Sequence, residues 1–156
     1  GNFTDFDGYF DELFAFFADP AHWIAVTGAP ALLAALRERG LKLGVVSNFD
    51  YRLYHILDGL GLSQYFDSVT ISSEAGYAKP APGIFTAAMA AAFATAPETL
   101  HVGDSEPLDL GGAMAAGISA VLVDPAYDGP PLITGRLARI GKLTMLPEVI
   151  ERLPFP

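Results

Sequence analysis

Three short polar clusters, each placed directly after an apolar run, carry the side chains of this sequence that could do chemistry. In chain order they are Ser47-Asn48, Lys79-Pro80, and Gly103-Asp104-Ser105 followed by Asp109. A hydroxyl, an ammonium and two carboxylates are what a site needs to hold a phosphoryl group and a Mg²⁺ ion, because the charge on the transferring oxygens must be neutralised by fixed donors and a metal. The clusters therefore indicate a site that binds or transfers a phosphoryl group.

Each cluster also has a structural explanation when it is taken alone. A Gly-Asp-Ser turn is often only the cap of the following helix, Ser47-Asn48 is an ordinary entry into a helix, and a single lysine is usually solvated. Asp109, however, comes five residues after Asp104 at the predicted start of a helix. A loop can bring both carboxylates to one side as oxygen ligands or supports for Mg²⁺, and the sequence contains no cysteine that would favour a thiophilic metal. Taken together, the clusters favour a functional site over three unrelated structural turns.

The elements around these clusters alternate between strands and helices. The predicted helices are 10–17, 30–39, 53–60, 84–89 and 109–116, the predicted strands are 43–46, 69–72, 100–102 and 120–123, the segment 128–135 is predicted to be a surface loop, and the last twenty residues a short docking helix. This alternation predicts an α/β fold with a doubly wound, mostly parallel sheet and helices on both faces. Ligands of such sheets bind beyond the carboxyl ends of the strands, where Ser47, Lys79 and Asp104 would converge.

Composition excludes several classes of function. A net charge of −9 with nine scattered Lys and Arg residues argues against nucleic acid as a partner. The apolar runs are too short to span a bilayer, so no membrane association is expected. The absence of cysteine excludes disulfides and fits a cytoplasmic location. The length of 156 residues suits a single core.

The sequence resembles the haloacid dehalogenase-like hydrolase superfamily, most of whose members are phosphatases. The resemblance rests on the motifs Val45-Val46-Ser47-Asn48, Ala78-Lys79-Pro80, and His101-Val102-Gly103-Asp104-Ser105 with Asp109 and the following Gly112-Ala113 and Ala116-Gly117. It implies a Rossmann-like core and Mg²⁺-dependent hydrolysis of a small phosphorylated metabolite through an aspartyl-phosphate. By this resemblance Ser47 and Lys79 are catalytic, and Ser47, Asn48 and Lys79 contact the substrate. Asp104 and Asp109 would hold or support Mg²⁺.

The nucleophile of that family is the first aspartate of an Asp-x-Asp-Gly motif at the end of a first apolar strand. The tetrapeptide 5–8 reads Asp-Phe-Asp-Gly, but the four residues before it are too few and too polar for a central strand. Asp5 and Asp7 are therefore the less favoured nucleophile and acid-base. We interpret residues 1–27 as the remnant of a small helical cap and residues 28–156 as a core that lacks its first strand, which makes the sequence an N-terminally shortened form of the enzyme.

Other functions remain open on sequence grounds. They are a non-catalytic relative that binds phosphate or metal, a 2-haloacid dehalogenase, and a receiver-type signalling domain, although receivers place their acidic pair before the hydroxyl and the lysine. A missing first strand would leave the strands near Val45 and Val102 with unpaired edges. Such edges invite pairing with a rearranged N-terminal segment, with each other, or with a second copy of the chain, and we favour the second copy, which predicts a homo-oligomer.

Overall fold

The computed structural model describes residues 6–153, with side chains from Gly8 onward. The helices are α1 (Phe6–Ala18), α2 (Ala29–Glu38), α3 (Arg52–Gly59), α4 (Ser72–Ala75), α5 (Pro82–Ala92), α6 (Gly111–Ala115) and α7 (Leu146–Arg152). The strands are β1 (Gly44–Ser47), β2 (Ser68–Ile71), β3 (Leu100–Gly103), β4 (Ser119–Val123), β5 (Leu132–Thr134) and β6 (Leu137–Ile140). None of the described helices is long and apolar enough to cross a membrane.

The strands form two separate groups in the described part of the chain. β1 and β2 make a parallel pair, and β3, β4, β6 and β5 follow one another in a second sheet. In that sheet the β3–β4 and β4–β6 pairs are parallel, and only the β5–β6 pair is antiparallel. The predicted α/β class with a mostly parallel sheet is confirmed, and the sheet is interrupted between β1 and β3.

Helices cover both faces of the larger sheet, as the alternation along β4 shows. Ala120 belongs to a core cluster with Ile84 and Phe85 of α5, whereas Val121 belongs to a cluster with Leu146 and Val149 of α7. Successive side chains of a strand point to opposite faces, so a strand buried on both sides reads as a continuous apolar run. Ser119–Val123 has that character, and four of its five residues are buried.

β1 and β3 differ from β4 because, within residues 6–153, each has a strand on one side only. No residue of either strand is fully buried, although both strands are predominantly apolar. Two cavities flank the space between β3 and the segment of β1 with the preceding Leu43, one of about 350 Å³ on the α5 side and one of about 440 Å³ on the α7 side. Val46 and His101 line the first cavity, and Leu43 and Val102 line the second. We call this space between β1 and β3, open to a cavity on each face, the slot.

Helix α1 is attached to the rest of the protein through Arg52 at the start of α3. The Arg52 guanidinium lies 3.7 Å from the centre of the Phe14 ring, and its Nη1 donates to the Phe14 carbonyl at 3.2 Å. Two further bonds from the guanidinium, Nε to Oδ1 at 2.8 Å and Nη2 to Oδ2 at 2.7 Å, fix it on Asp50. The predicted helix 10–17 is therefore present, extends from Phe6 to Ala18, and packs against α3.

Two sequence-based assignments were wrong in detail. The predicted surface loop 128–135 contains strand β5, which pairs with the unpredicted strand β6 through a turn at Gly135, whose φ of +61° suits glycine. The predicted helix 109–116 is instead a five-residue π-helix, Glu106–Leu110, followed by the short α6. Pro and Gly around 128–135 obscured the strand, and the π-helix has no simple sequence signature.

Candidate functional site

Lys79 is held by the side chain of Asn48, which follows the carboxyl end of β1. The Asn48 amide donates from Nδ2 to the Lys79 carbonyl at 2.9 Å, and its Oδ1 accepts from the Lys79 backbone N–H at 2.6 Å. The Lys79–Pro80 peptide bond is cis. Because both polar ends of the Asn48 amide are used on Lys79, the first sequence cluster positions the second one.

Asp109 reaches the same place from the other sheet. It belongs to the π-helix that follows β3, and its Oδ2 accepts from the Ser105 backbone N–H at 3.0 Å. Gly103 at the end of β3 lies directly against the Asp109 side chain, and a Cβ at that position would overlap it. A π-helix is wider than an α-helix and is common at functional sites. Here it turns Asp109 back over the end of β3.

Lys79 and Asp109 form a partly buried ion pair. Lys79 Nζ lies 2.7 Å from Asp109 Oδ1, and the two side chains are only 15% and 4% exposed. His101 Nε2 lies 2.9 Å from the same oxygen. Burial alone would raise the pKa of the Asp109 carboxyl, but hydrogen bonds from His101, Lys79 and the Ser105 N–H outweigh burial and hold that pKa well below its ordinary value.

The structure thus joins all three predicted clusters through a chain of contacts: Asn48 to Lys79, Lys79 to Asp109, and Asp109 to Ser105. Ser47 is half-buried at the carboxyl end of β1, and its hydroxyl has no hydrogen-bond partner among residues 8–153. Asp104 is exposed just after β3. A hydroxyl, an ammonium and an exposed carboxylate therefore surround the carboxyl ends of the two sheets.

The tetrapeptide 5–8 is only partly described by the structure. Asp5 and the side chain of Asp7 lie outside the described residues, but the backbone of Asp7 is in helix α1. Asp7, the candidate acid-base, therefore does not lie at the end of a strand.

The side chains around this site offer few ligands to a metal ion. No group of three or more His, Cys, Asp or Glu side chains that could hold a metal occurs in the described part of the chain. Asp104 offers an exposed carboxylate, whereas the Asp109 carboxylate already accepts hydrogen bonds at both oxygens. A Mg²⁺ ion here would meet an exposed oxygen on Asp104 and would need further ligands from outside this set.

His101 is the site residue that the sequence did not single out. It lies within the motif His101-Val102-Gly103-Asp104-Ser105, but the resemblance assigns it no task. The spacing of His101 and Gly103 is the sequence signal that points to it. Residues two apart lie on the same face of a strand, and Asp109 packs against Gly103 on that face of β3.

Comparison with known proteins identifies the family. The family "haloacid dehalogenase-like hydrolase" matches residues 4–117, which is more than half of the chain. The chain belongs to the haloacid dehalogenase-like hydrolases, as the sequence motifs predicted.

Similar proteins of known name support this membership. Haloacid dehalogenase-like hydrolase domain-containing protein 3 from Bos taurus is 45% identical over 145 residues, which is 93% of this chain and 58% of that protein. A phosphoserine phosphatase from Thermus thermophilus is 41% identical over 112 residues, which is 70% of this chain and 45% of that protein. The chain thus spans about half the length of these relatives.

Solved structures show the same fold. An HAD phosphatase from Thermococcus onnurineus superposes with a TM-score of 0.78 at 25% identity, covering 94% of this chain and 71% of that one. A 2-haloacid dehalogenase from Pseudomonas syringae pv. Tomato superposes with a TM-score of 0.72 at 30% identity, covering 91% of this chain and 60% of that one.

Proposed function

We propose that this chain is the greater part of a phosphatase: it binds the phosphoryl group of a small phosphorylated metabolite, together with Mg²⁺, at the carboxyl ends of β1 and β3. The observation that carries the proposal is the ordered Lys79 ammonium, clamped by Asn48 and paired with Asp109. Relatives named as phosphatases favour this substrate class over a haloacid.

Each residue has a defined task in this proposal. Ser47 donates its hydroxyl hydrogen to a phosphoryl oxygen, and Lys79 neutralises the negative charge on those oxygens. Asp104 would hold Mg²⁺ and Asp109 would support it, and the bound ion would supply further charge neutralisation. Asn48 sits beside the substrate but acts mainly through Lys79, because both ends of its amide hydrogen-bond to the Lys79 backbone.

The carboxylate nucleophile would come from a strand seated in the slot. A parallel strand placed there would hydrogen-bond to both β1 and β3, and its side chains would alternate into the two cavities. Its carboxyl end would emerge beside Ser47 and Lys79. In this proposal residues 1–27 are a cap remnant and residues 28–156 a core that lacks this strand. The absence of cysteine is in keeping with a cytoplasmic enzyme.

Two measurements on the purified chain test the phosphoryl-site proposal. Titration calorimetry should show Mg²⁺ binding that is lost in Asp104→Asn and kept in Asp128→Asn, which removes the same charge from an exposed loop. Equal binding by all three proteins would rule out Asp104 as a ligand.

Hydrolysis of an aryl phosphate by the chain alone should be negligible, because positioning and charge neutralisation do not replace an absent nucleophile. Turnover that Asp5→Asn abolishes would show that the N-terminal tetrapeptide is the true motif. The native reading frame upstream of Gly1 gives a further test. An apolar strand ending in Asp-x-Asp supports the enzyme, and its absence favours a non-catalytic relative.

A second copy of the chain is the occupant that we propose for the slot when the chain is alone. β1 and β3 do not pair with each other, so direct pairing does not close the slot. The backbone from Phe6 to Ala18 is helical, so this part of the N-terminal segment does not add a strand to it. Light scattering should show a dimer or larger species at micromolar concentration. A monomer whose amides in β1 and β3 all exchange slowly with solvent deuterium would instead indicate repair within one chain.

A further inference from the structure

His101 is a partly buried, titratable residue that the proposed function leaves without a task. Its side chain is 11% exposed, and its Nε2 contacts Asp109 Oδ1, the same oxygen that accepts from Lys79. A carboxylate that accepts from an ammonium and from the Ser105 N–H is ionised and can only accept. We therefore assign a hydrogen atom to His101 Nε2, which makes His101 the donor of this bond.

Packing alone does not account for the placement of His101. The imidazole meets the ring of Phe85 edge to face, with centroids 5.0 Å apart and planes at 90°, and Phe85 is itself only 1% exposed. This contact prevents the imidazole from swinging away from Asp109. A leucine or phenylalanine would fill the same space, but neither could donate to a carboxylate.

We propose that His101 is a positioning residue for Lys79 and acts through Asp109. This inference rests on the proposed function, in which the task of Lys79 is to bind phosphoryl oxygens. Ser105 holds Asp109 Oδ2, and His101 shares Oδ1 with Lys79, so the carboxylate is fixed at both ends and cannot rotate. Lys79 then meets a single carboxylate oxygen. An ammonium has three hydrogens, so two remain for a ligand.

The test compares two substitutions of His101 in the intact chain. His101→Leu replaces the imidazole with an apolar side chain of moderate size and removes the donor, whereas His101→Gln keeps a donor at a similar reach. The sequence contains three lysines, so the NH₃⁺ signal of Lys79 can be assigned in ¹⁵N-correlated NMR spectra by its loss in Lys79→Met. A hydrogen-bonded ammonium that is shielded from water gives an observable NH₃⁺ signal. The ammonium groups of exposed lysines lose this signal because their hydrogens exchange rapidly with water.

We expect His101→Leu to lose or strongly broaden the Lys79 signal and to weaken the binding of inorganic phosphate, measured with Mg²⁺ present, about tenfold. His101→Gln should keep the signal and bind phosphate within about twofold of the parent chain, since one donor replaces another. An unchanged signal and unchanged phosphate binding in His101→Leu would overturn the proposal, as would equal losses in both variants.

Failure of the proposed function and failure of the variant to fold can each be told apart from failure of the His101 proposal. If the parent chain binds no phosphate, the proposed function fails, but the Lys79 signal still decides whether His101 positions the ammonium. If His101→Leu does not fold, as judged by circular dichroism, His101→Asn takes its place because its shorter amide cannot reach Asp109. A normal Lys79 signal in folded His101→Asn would then refute the role.

Discussion

The Lys79–Asp109 pair allows a sharp test of how the site is held together. Lys79→Met removes the charge while keeping a long apolar side chain, and it leaves the Asp109 carboxylate 4% exposed beside only His101 and the Ser105 N–H. Removing one partner of a buried ion pair destabilises a protein by roughly 3–5 kcal/mol. Because two donors remain on Asp109, we expect the lower end, about 3 kcal/mol.

The assay is urea unfolding followed by circular dichroism and by the fluorescence of Trp23, the single tryptophan of the chain. All variants are compared at one protein concentration, since association would add to the apparent stability. The double variant Lys79→Met/Asp109→Asn removes both charges together. It should be more stable than the sum of the single effects predicts, with a coupling of about 2 kcal/mol.

Lys142→Met is the matched control, because Lys142 is exposed and should change the free energy of unfolding by less than about 0.5 kcal/mol. A Lys79→Met variant as stable as this control would show that the pair does not contribute to the fold. A double variant equal to the sum of the singles would show that the two charges act independently.

Three further outcomes are expected. Gly103→Ala should destabilise the protein by about 3 kcal/mol in urea unfolding, because its Cβ would displace the Asp109 carboxylate from its donors, and a variant within about 0.5 kcal/mol of the parent would contradict the close approach. The folded-state pKa of Asp109 is lowered, so its contribution to stability is full above about pH 5 and is lost progressively as the pH falls further. The urea midpoint should therefore drop on acidification, and less steeply in Asp109→Asn. Arg52→Met should speed amide exchange in α1 about 30-fold, because it removes the ring contact and the hydrogen bond to Phe14, together worth about 2 kcal/mol. Arg39→Met, at an exposed arginine, should leave this exchange unchanged.

Local sequence signals were enough for most of the fold. β1, β3 and β4 are short apolar runs ended by polar or glycine residues, and the structure places each within about one or two residues of its predicted range. Their order predicted that the polar clusters would meet beyond the carboxyl ends of the strands, and the structure brings Asn48, Lys79 and Asp109 into contact there.

The site details could not be predicted in the same way. Whether Asp109 contacts Lys79 depends on how far a π-helix turns the chain back, and no periodicity encodes that. The partner of His101 lies eight residues later in the chain, so the contact exists only once the turn has formed. Asn48 was expected to contact substrate, and its engagement with the Lys79 backbone likewise depends on a distant loop.

The slot also has a consequence for the order of folding. Its two walls are far apart in the chain, since β1 ends at Ser47 and β3 begins at Leu100. Any strand that fills it must wait until both walls are built, so its contacts are non-local and form late. The sheet edge that carries Ser47 and Asp104 would then be the last part of the molecule to mature. A nascent chain that stops before β3 would expose β1, one apolar wall of the slot, to other nascent chains.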